Sequence, residues 1–228
     1  MPSPADAISA PDMKIVGDYQ RDGYALVESL VSTEIARAVL KSLHADVGGD
    51  AIRLSGVDQH PNLLKRAAFE MYGHHHSPLL FLLWGLTPTV SGLVGRDLLP
   101  TYDYFRIYRE GDVCLVHSDR YACEHSLSLT LDYSDGVPWD LEIGKIRRPQ
   151  PSSAIDEDFG TEPFASLPMQ VGDAVLYQGV HHRHARTQPN PNGWSAHLFL
   201  HWVERDGAYR DHAFDGRGTP AQVNFSFA

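Results

Sequence analysis

The sequence predicts a mainly β fold with flanking N-terminal helices, and three observations carry that expectation. From Tyr102 onward the chain falls into short runs rich in β-branched and aromatic residues: YFRIY, CLVHSD, HSLSLTLDY, WDLEIG, DAVLYQG and SAHLFLHWV. Gly, Pro, Asp and Asn turns separate them, which is the texture of an antiparallel sandwich or barrel. Within residues 125–131, polar or small side chains alternate with Leu127, Leu129 and Leu131, so one face is buried and the other is not. Ahead of Tyr102, apolar residues recur at helical spacing instead.

In chain order, residues 1–14 carry three Pro and no periodicity and read as a flexible arm. Residues 23–27 (GYALV) resemble a short strand. Ser32 or Thr33 then caps a helix that aligns Ile35, Val39, Leu40 and Leu43 along one face. Residues 62–72 suit a second helix. Residues 77–86 form an apolar segment limited by Pro88, as expected of a buried helix. GHHHS at 73–77 reads as a polar loop, because consecutive residues share no face in regular structure. The segment RRPQPSSAIDEDFGTEPFASLP reads as a polar connection or lid. At 228 residues, one domain over 15–228 is the expectation, with helical support (15–100), a β core (101–205) and a C-terminal extension (206–228).

Composition narrows the function. A formal charge of −10 with 19 Lys and Arg disfavours nucleic acid or an anionic membrane as partner and favours a small-molecule, peptide or protein substrate. The start lacks a basic, apolar leader, and no apolar run approaches the ~20 residues of a membrane span, so a cytoplasmic location is expected. Cys114 and Cys123 are expected to be reduced thiols.

The chemistry is carried by His117-Ser118-Asp119. On a strand, residues two apart point to the same side, so an imidazole and a carboxylate can share one metal. A second His from a neighbouring strand would complete the two-His, one-carboxylate set that binds iron(II) and leaves positions open. The candidates follow the turn-and-strand segment Met169 to Tyr177, at His181, His182 and His184.

A tyrosine-bearing strand, an H-x-D, a Gly172-Asp173-apolar strand, a later His and a closing strand occur in that order across 102–203. In this the chain resembles the 2-oxoglutarate and iron(II)-dependent oxygenases, specifically the prolyl-hydroxylase-like group. The resemblance implies a double-stranded β-helix (a jelly-roll, cupin-like sandwich). It also implies a metal held by His117, Asp119 and His184, His184 being favoured by its offset from Asp173. The implied activity is oxidation, with hydroxylation of an unactivated C–H bond of a small molecule, amino acid or peptide or protein side chain as the expected outcome, 2-oxoglutarate as co-substrate and release of succinate and CO2.

The family's basic residue after the distal His is missing, because Gly193-Trp194-Ser195 stands in its place and supplies only Ser195. Tyr108 and Tyr133 occupy positions of co-substrate-binding tyrosines, while Arg106, on the face of Tyr108, and Arg186, just beyond His184, are the basic substitutes. Strand parity sets His197 and His201 on the face of Ser195. Arg120 and Glu124 are expected to pair and orient the Asp119 turn. Trp139, Trp194 and Trp202 are candidates for an aromatic wall. The competing readings are a cupin-like metal enzyme that does not use 2-oxoglutarate and a non-catalytic β-sandwich binding module.

Overall fold

A computed structural model describes residues 13–47 and 62–216 of the chain, so most of the arm at 1–14 and the end of the C-terminal extension lie outside the described residues. In chain order the strands are β1 (Lys14–Gly17), β2 (Tyr24–Glu28), β3 (Phe69–Tyr72), β4 (Leu98–Arg109), β5 (Cys114–His117), β6 (His125–Tyr133), β7 (Leu141–Gly144), β8 (Phe164–Leu167), β9 (Ala174–Tyr177), β10 (His184–Arg186) and β11 (Trp194–Glu204). The helices are α1 (Tyr19–Asp22), α2 (Thr33–Val47) and α3 (Ser77–Val94). A seven-stranded sheet has the order β1-β2-β9-β6-β11-β4-β3, and a four-stranded sheet the order β5-β10-β7-β8. This is the mainly β, double-stranded β-helix architecture expected from the sequence.

The larger sheet separates two environments. Its outer face presents Phe105, Ile107, Leu127, Leu129, Leu131, Leu198 and Trp202 to Leu43 of α2 and to Leu79, Leu83 and Val90 of α3, forming the main apolar core. Its inner face carries Tyr104, Arg106, Tyr108, Ser126, His197 and His201 at the alternate positions and turns toward the smaller sheet. The polar half of the alternation read in β6 therefore faces an enclosed interior rather than solvent, and Ser126, Ser128 and Thr130 are all fully buried.

Several expectations change. Residues 62–72 are not a helix, because β3 pairs with the outer edge of β4 over Phe69–Tyr72, while Leu63 and Arg66 give their backbone groups to Leu115 and Asp112. Those tertiary partners outweigh local helical preference. The helix beginning at Ser77 does not stop at Pro88 but runs to Val94. Pro88 sits on its exposed side, near the half-exposed Trp84. With 18 residues, α3 is long and apolar enough by length and composition to cross a membrane, a longer run than the sequence reading gave it. It packs on β4 through Leu79, Leu83, Val90 and Val94, and leaves Phe81 exposed. On α2, Ser32 caps as expected, its Oγ accepting from Ile35 N at 3.3 Å, but Ile35 itself is exposed and Ala36 takes the buried position. GHHHS forms a 3-10 turn over Gly73–His75 and buries His76. The polar connection contains β8, an exposed edge strand whose Phe164-Ala165-Ser166-Leu167 lacks the apolar alternation that would mark it.

Asp103 departs from the apolar outer face. Both its carboxylate oxygens are buried without a hydrogen-bond partner, against Gly73, where a Cβ would fall 1.8 Å from Oδ1. Burial pushes its carboxyl up to about 7, opposed weakly by its own backbone amide. A carboxyl raised in the folded state binds more protons there than in the unfolded chain, so stability falls as pH rises from about 4 to about 7 and stays reduced above that. Asp103→Asn is expected to raise stability at pH 8 by on the order of 2–3 kcal/mol and to flatten the profile between pH 5 and 8. Thermal unfolding at both pH values checks this, and equal midpoints for parent and variant at pH 8 would refute it.

Candidate metal centre

β5 and β10 are neighbours in the smaller sheet, and their register sets His117 directly across from His184. The two rings stand 4.3 Å apart between centroids, tilted by 55°. β5 ends at His117, so Asp119 reaches the same point through a turn and not through the strand parity assumed from the sequence. Its amide donates to the Gly179 carbonyl at 2.9 Å, which ties the turn to the β9–β10 connection.

The imidazoles are oriented by their own backbone. His117 Nδ1 lies 2.7 Å from the Leu115 carbonyl and His184 Nδ1 3.1 Å from the His182 carbonyl. A carbonyl only accepts, so each Nδ1 carries its proton and each neutral ring presents an Nε2 lone pair. Those Nε2 atoms converge on Asp119 Oδ1, at 3.7 Å for His117 and 3.4 Å for His184. One ligand atom from each residue lies within 4.8 Å of the others. Backbone-anchored Nδ1 atoms are the usual support of metal-binding histidines, and two imidazoles with one carboxylate on one side suit a divalent transition metal.

Electrostatics agree. Burial works to raise the Asp119 carboxyl, but the adjacent His184 and His117 outweigh it and hold the group ionised well below the usual carboxylate range. Burial and the neighbouring His184 push His117 down to about 4, so it is neutral at pH 7. Burial would lower His184 as well, yet Asp119 raises it overall.

Behind Asp119, Ser126 Oγ donates to Oδ2 at 3.4 Å and lies 2.9 Å from His201 Nδ1. A Cβ at Gly179 would stand 2.3 Å from Asp119 Oδ2, 2.8 Å from Ser126 Oγ and 2.9 Å from the Cys123 carbonyl. Gly179→Ala is therefore expected to displace the carboxylate and weaken metal affinity by about 10–100-fold with the fold retained. Titration with a divalent metal, alongside circular dichroism, measures both. Undiminished affinity would mean that this contact does not fix Asp119.

A narrow cavity of about 20 Å³ adjoins these three side chains, walled by Tyr104, Arg106, Tyr108, Tyr177, Arg186 and Phe199 among others. That is room for roughly one water-sized group. A larger cavity of about 410 Å³, lined by Arg21, Lys145, Arg147 and His182, lies elsewhere and contains none of the three. Tyr104 and Tyr177 were not singled out from the sequence. Tyr104 shares strand parity with Arg106 and Tyr108, a signal that was available.

The two basic candidates differ in their partners. Arg106 is 5% exposed and forms an ion pair with Glu70 of β3, while its Nη1 donates to Tyr108 Oη at 2.9 Å. Arg186 lies on β10 and is 1% exposed. Its guanidinium stacks on Trp139 at 4.8 Å, donates to the Trp139 carbonyl, and approaches Met169 Sδ at 3.5 Å and His197 Nδ1 at 3.4 Å. Among the described residues no carboxylate lies within ion-pair distance of it.

Tyr133 donates to the Met169 carbonyl at 2.9 Å and accepts from Trp139 N at 3.3 Å, away from the cavity wall. Ser195 Oγ donates to Asn190 Oδ1 at 2.7 Å within a buried amide cluster. His197 lies between Tyr108, Tyr133 and Trp139, held neutral by burial and by Arg186 and Arg106. His181 and His182 are buried and not exposed, with Nδ1 atoms at the Arg148 and Gly144 carbonyls. Arg120 and Glu124 do not pair. Arg120 faces Asp215 and Tyr102, and Glu124 accepts from Glu204 N. The three tryptophans form no common wall, because Trp202 is in the outer core with Thr87 and Trp194 packs against that core, while Trp139 covers Arg186. Cys114 and Cys123 are free and buried.

No family model matches the sequence, and no curated protein does. Solved structures do match. SnoK, a non-haem α-ketoglutarate-dependent carbocyclase from nogalamycin biosynthesis, aligns with a TM-score of 0.62 at 15% identity over 90% of this chain and 91% of its own. A Pseudomonas putida prolyl-4-hydroxylase aligns at 0.56 and 13% identity over 83% and 96%. HygX from Streptomyces hygroscopicus, crystallised with nickel and 2-oxoglutarate, aligns at 0.57 and 10% identity over 82% and 85%. The chain has the double-stranded β-helix fold of these 2-oxoglutarate-dependent enzymes, as its resemblance to them implied.

Proposed function

We propose that the chain is an iron(II)- and 2-oxoglutarate-dependent oxygenase that hydroxylates an unactivated C–H bond of a small molecule, amino acid or peptide or protein side chain. The observation that carries this reading is the convergence of His117 Nε2, His184 Nε2 and Asp119 Oδ1 beside a buried, carboxylate-free arginine. His117, Asp119 and His184 would hold the metal beside the cavity that they line. When bound, iron(II) with 2-oxoglutarate and oxygen supplies the oxidant that breaks the C–H bond, with succinate and CO2 released.

The protein's own part is to bind, orient and exclude water. Arg186 takes the far carboxylate of 2-oxoglutarate. It lies two residues beyond His184 on β10, about 6.6 Å along the strand, close to the length of an extended five-carbon diacid. Tyr104, Tyr177 and Phe199 seal the cavity. A cavity of about 20 Å³ admits the diacid only if a wall residue moves. The similar structures include an epimerase and a carbocyclase as well as a hydroxylase, so reaction outcome is tested directly. The purified chain, loaded anaerobically with one equivalent of iron(II) and then given oxygen and 2-oxoglutarate, is expected to form succinate only when both are present. Absence of succinate across amino acid, peptide and natural-product substrates, with iron bound, would reject the reading.

A further inference from the structure

A second cluster of metal-binding side chains lies on the opposite face of the larger sheet. Glu124 closes the 3-10 turn Tyr121–Cys123, His125 opens β6, and Glu204 ends β11. The register aligns His125 with Trp202 of β11, on the helix-side face, whereas its neighbour Ser126 points inward to His201. One ligand atom from each of Glu124, His125 and Glu204 lies within 4.8 Å of the others. His125 is 4% and Glu124 8% exposed.

Two independent features point to a cation there. First, His125 Nε2 is buried with no hydrogen-bond partner and is directed at Glu204 Oε1, 3.7 Å away. Its Nδ1 is already engaged by Tyr19 Oη at 2.6 Å, the arrangement that orients a metal-binding imidazole. Burial pushes this ring down to about 4, so at neutral pH it carries no charge to offset the carboxylates. Second, two carboxylates share the spot. Burial raises the Glu124 carboxyl, opposed by the hydrogen bond from Glu204 N and reinforced by the Glu204 carboxylate. Arg96 reaches Glu204 Oε1 at 3.6 Å, but its side chain is largely solvent-exposed.

We infer that Glu124, His125 and Glu204 form a second divalent-cation site, structural in role, that takes a borderline metal such as zinc through one imidazole and two carboxylates. It is independent of the His117–Asp119–His184 centre and of the proposed oxygenase activity. Tyr19 on α1 and Arg96 after α3 flank it, so a bound ion joins the ends of β6 and β11 to the helical layer. It also anchors the segment that runs from Asp119 to β6.

The test removes the first centre. The full chain carrying His117→Ala and Asp119→Ala is titrated with Zn²⁺ alone, and bound metal is counted by elemental analysis after gel filtration. One zinc per chain is expected, with a raised unfolding midpoint. Adding Glu204→Gln or His125→Ala to that chain is expected to weaken zinc binding by at least about tenfold and to abolish the thermal shift. Glu204 is partly exposed, so its conservative replacement keeps the test valid if the His125 variant fails to fold. No zinc bound by the double variant, or binding unchanged when Glu204→Gln is added, overturns the site.

Discussion

Asp119→Ala is expected to abolish iron(II) binding at concentrations that saturate the parent chain, a loss of at least about 10³-fold, and with it all 2-oxoglutarate-dependent succinate formation. The size follows from what remains. Removing an outer support of a metal site typically costs about 10–100-fold, and removing the only anionic ligand costs more, because two neutral imidazoles neither neutralise the ion nor complete one side of its coordination shell. The metal-free chain should tolerate the change. Burial opposes a charge on His184 and Asp119 is what raises its imidazole, so without the carboxylate the ring stays neutral and no unpaired buried cation is left behind. The variant should thus unfold close to the parent while losing the metal. Anaerobic iron titration with elemental analysis, run beside thermal unfolding, separates the two effects. Parent-like iron affinity in Asp119→Ala would remove this centre from the mechanism. Asp119→Asn, which keeps the shape but not the charge, should fall between the two.

How much of this could be read in advance differs from element to element, for physical reasons. Strands β4, β6, β9 and β11 announce themselves because each alternates a face buried under helices with a face of another character. β3 and β8 do not, since both are edge strands stabilised by backbone pairing with a neighbour distant in sequence. At the candidate centre, His117 and Asp119 were adjacent enough to be noticed as a pair, yet the turn that unites them is held by Gly179, sixty residues away in sequence and invisible to any local pattern. Arg120 illustrates the same limit. Its partner is Asp215, while Glu124 turns to the end of β11, so a local charge pair was the wrong inference from two neighbouring ions. Arg186 gives no sign of its burial, because a three-residue strand shows no alternation. What covers it, the Trp139 indole with Met169 and His197, arrives from other segments of the chain.

Arg186→Gln is expected to weaken 2-oxoglutarate binding by about 30-fold to several thousandfold, the range that follows from 2–5 kcal/mol for truncating one partner of a buried charge pair. Iron(II) affinity should change little, because Arg186 touches none of the three metal ligands among its hydrogen bonds. The argument for Arg186 over Arg106 is one of unmet charge. Arg106 already neutralises Glu70, so handing it to a diacid would leave a largely buried carboxylate unpaired, whereas Arg186 has a carbonyl, a thioether, an imidazole and an indole around it and, among the described residues, no carboxylate. A buried guanidinium without a counter-ion gains most from a ligand that brings one. Arg186→Lys keeps the charge but loses the planar fork, and should recover only part of the affinity. Arg106→Gln should instead lower stability, by leaving Glu70 uncompensated, and affect 2-oxoglutarate less. Isothermal titration of 2-oxoglutarate into each metal-loaded variant decides between them: equal losses for both arginines would share the anchor, and an unchanged Arg186→Gln would move it to Arg106.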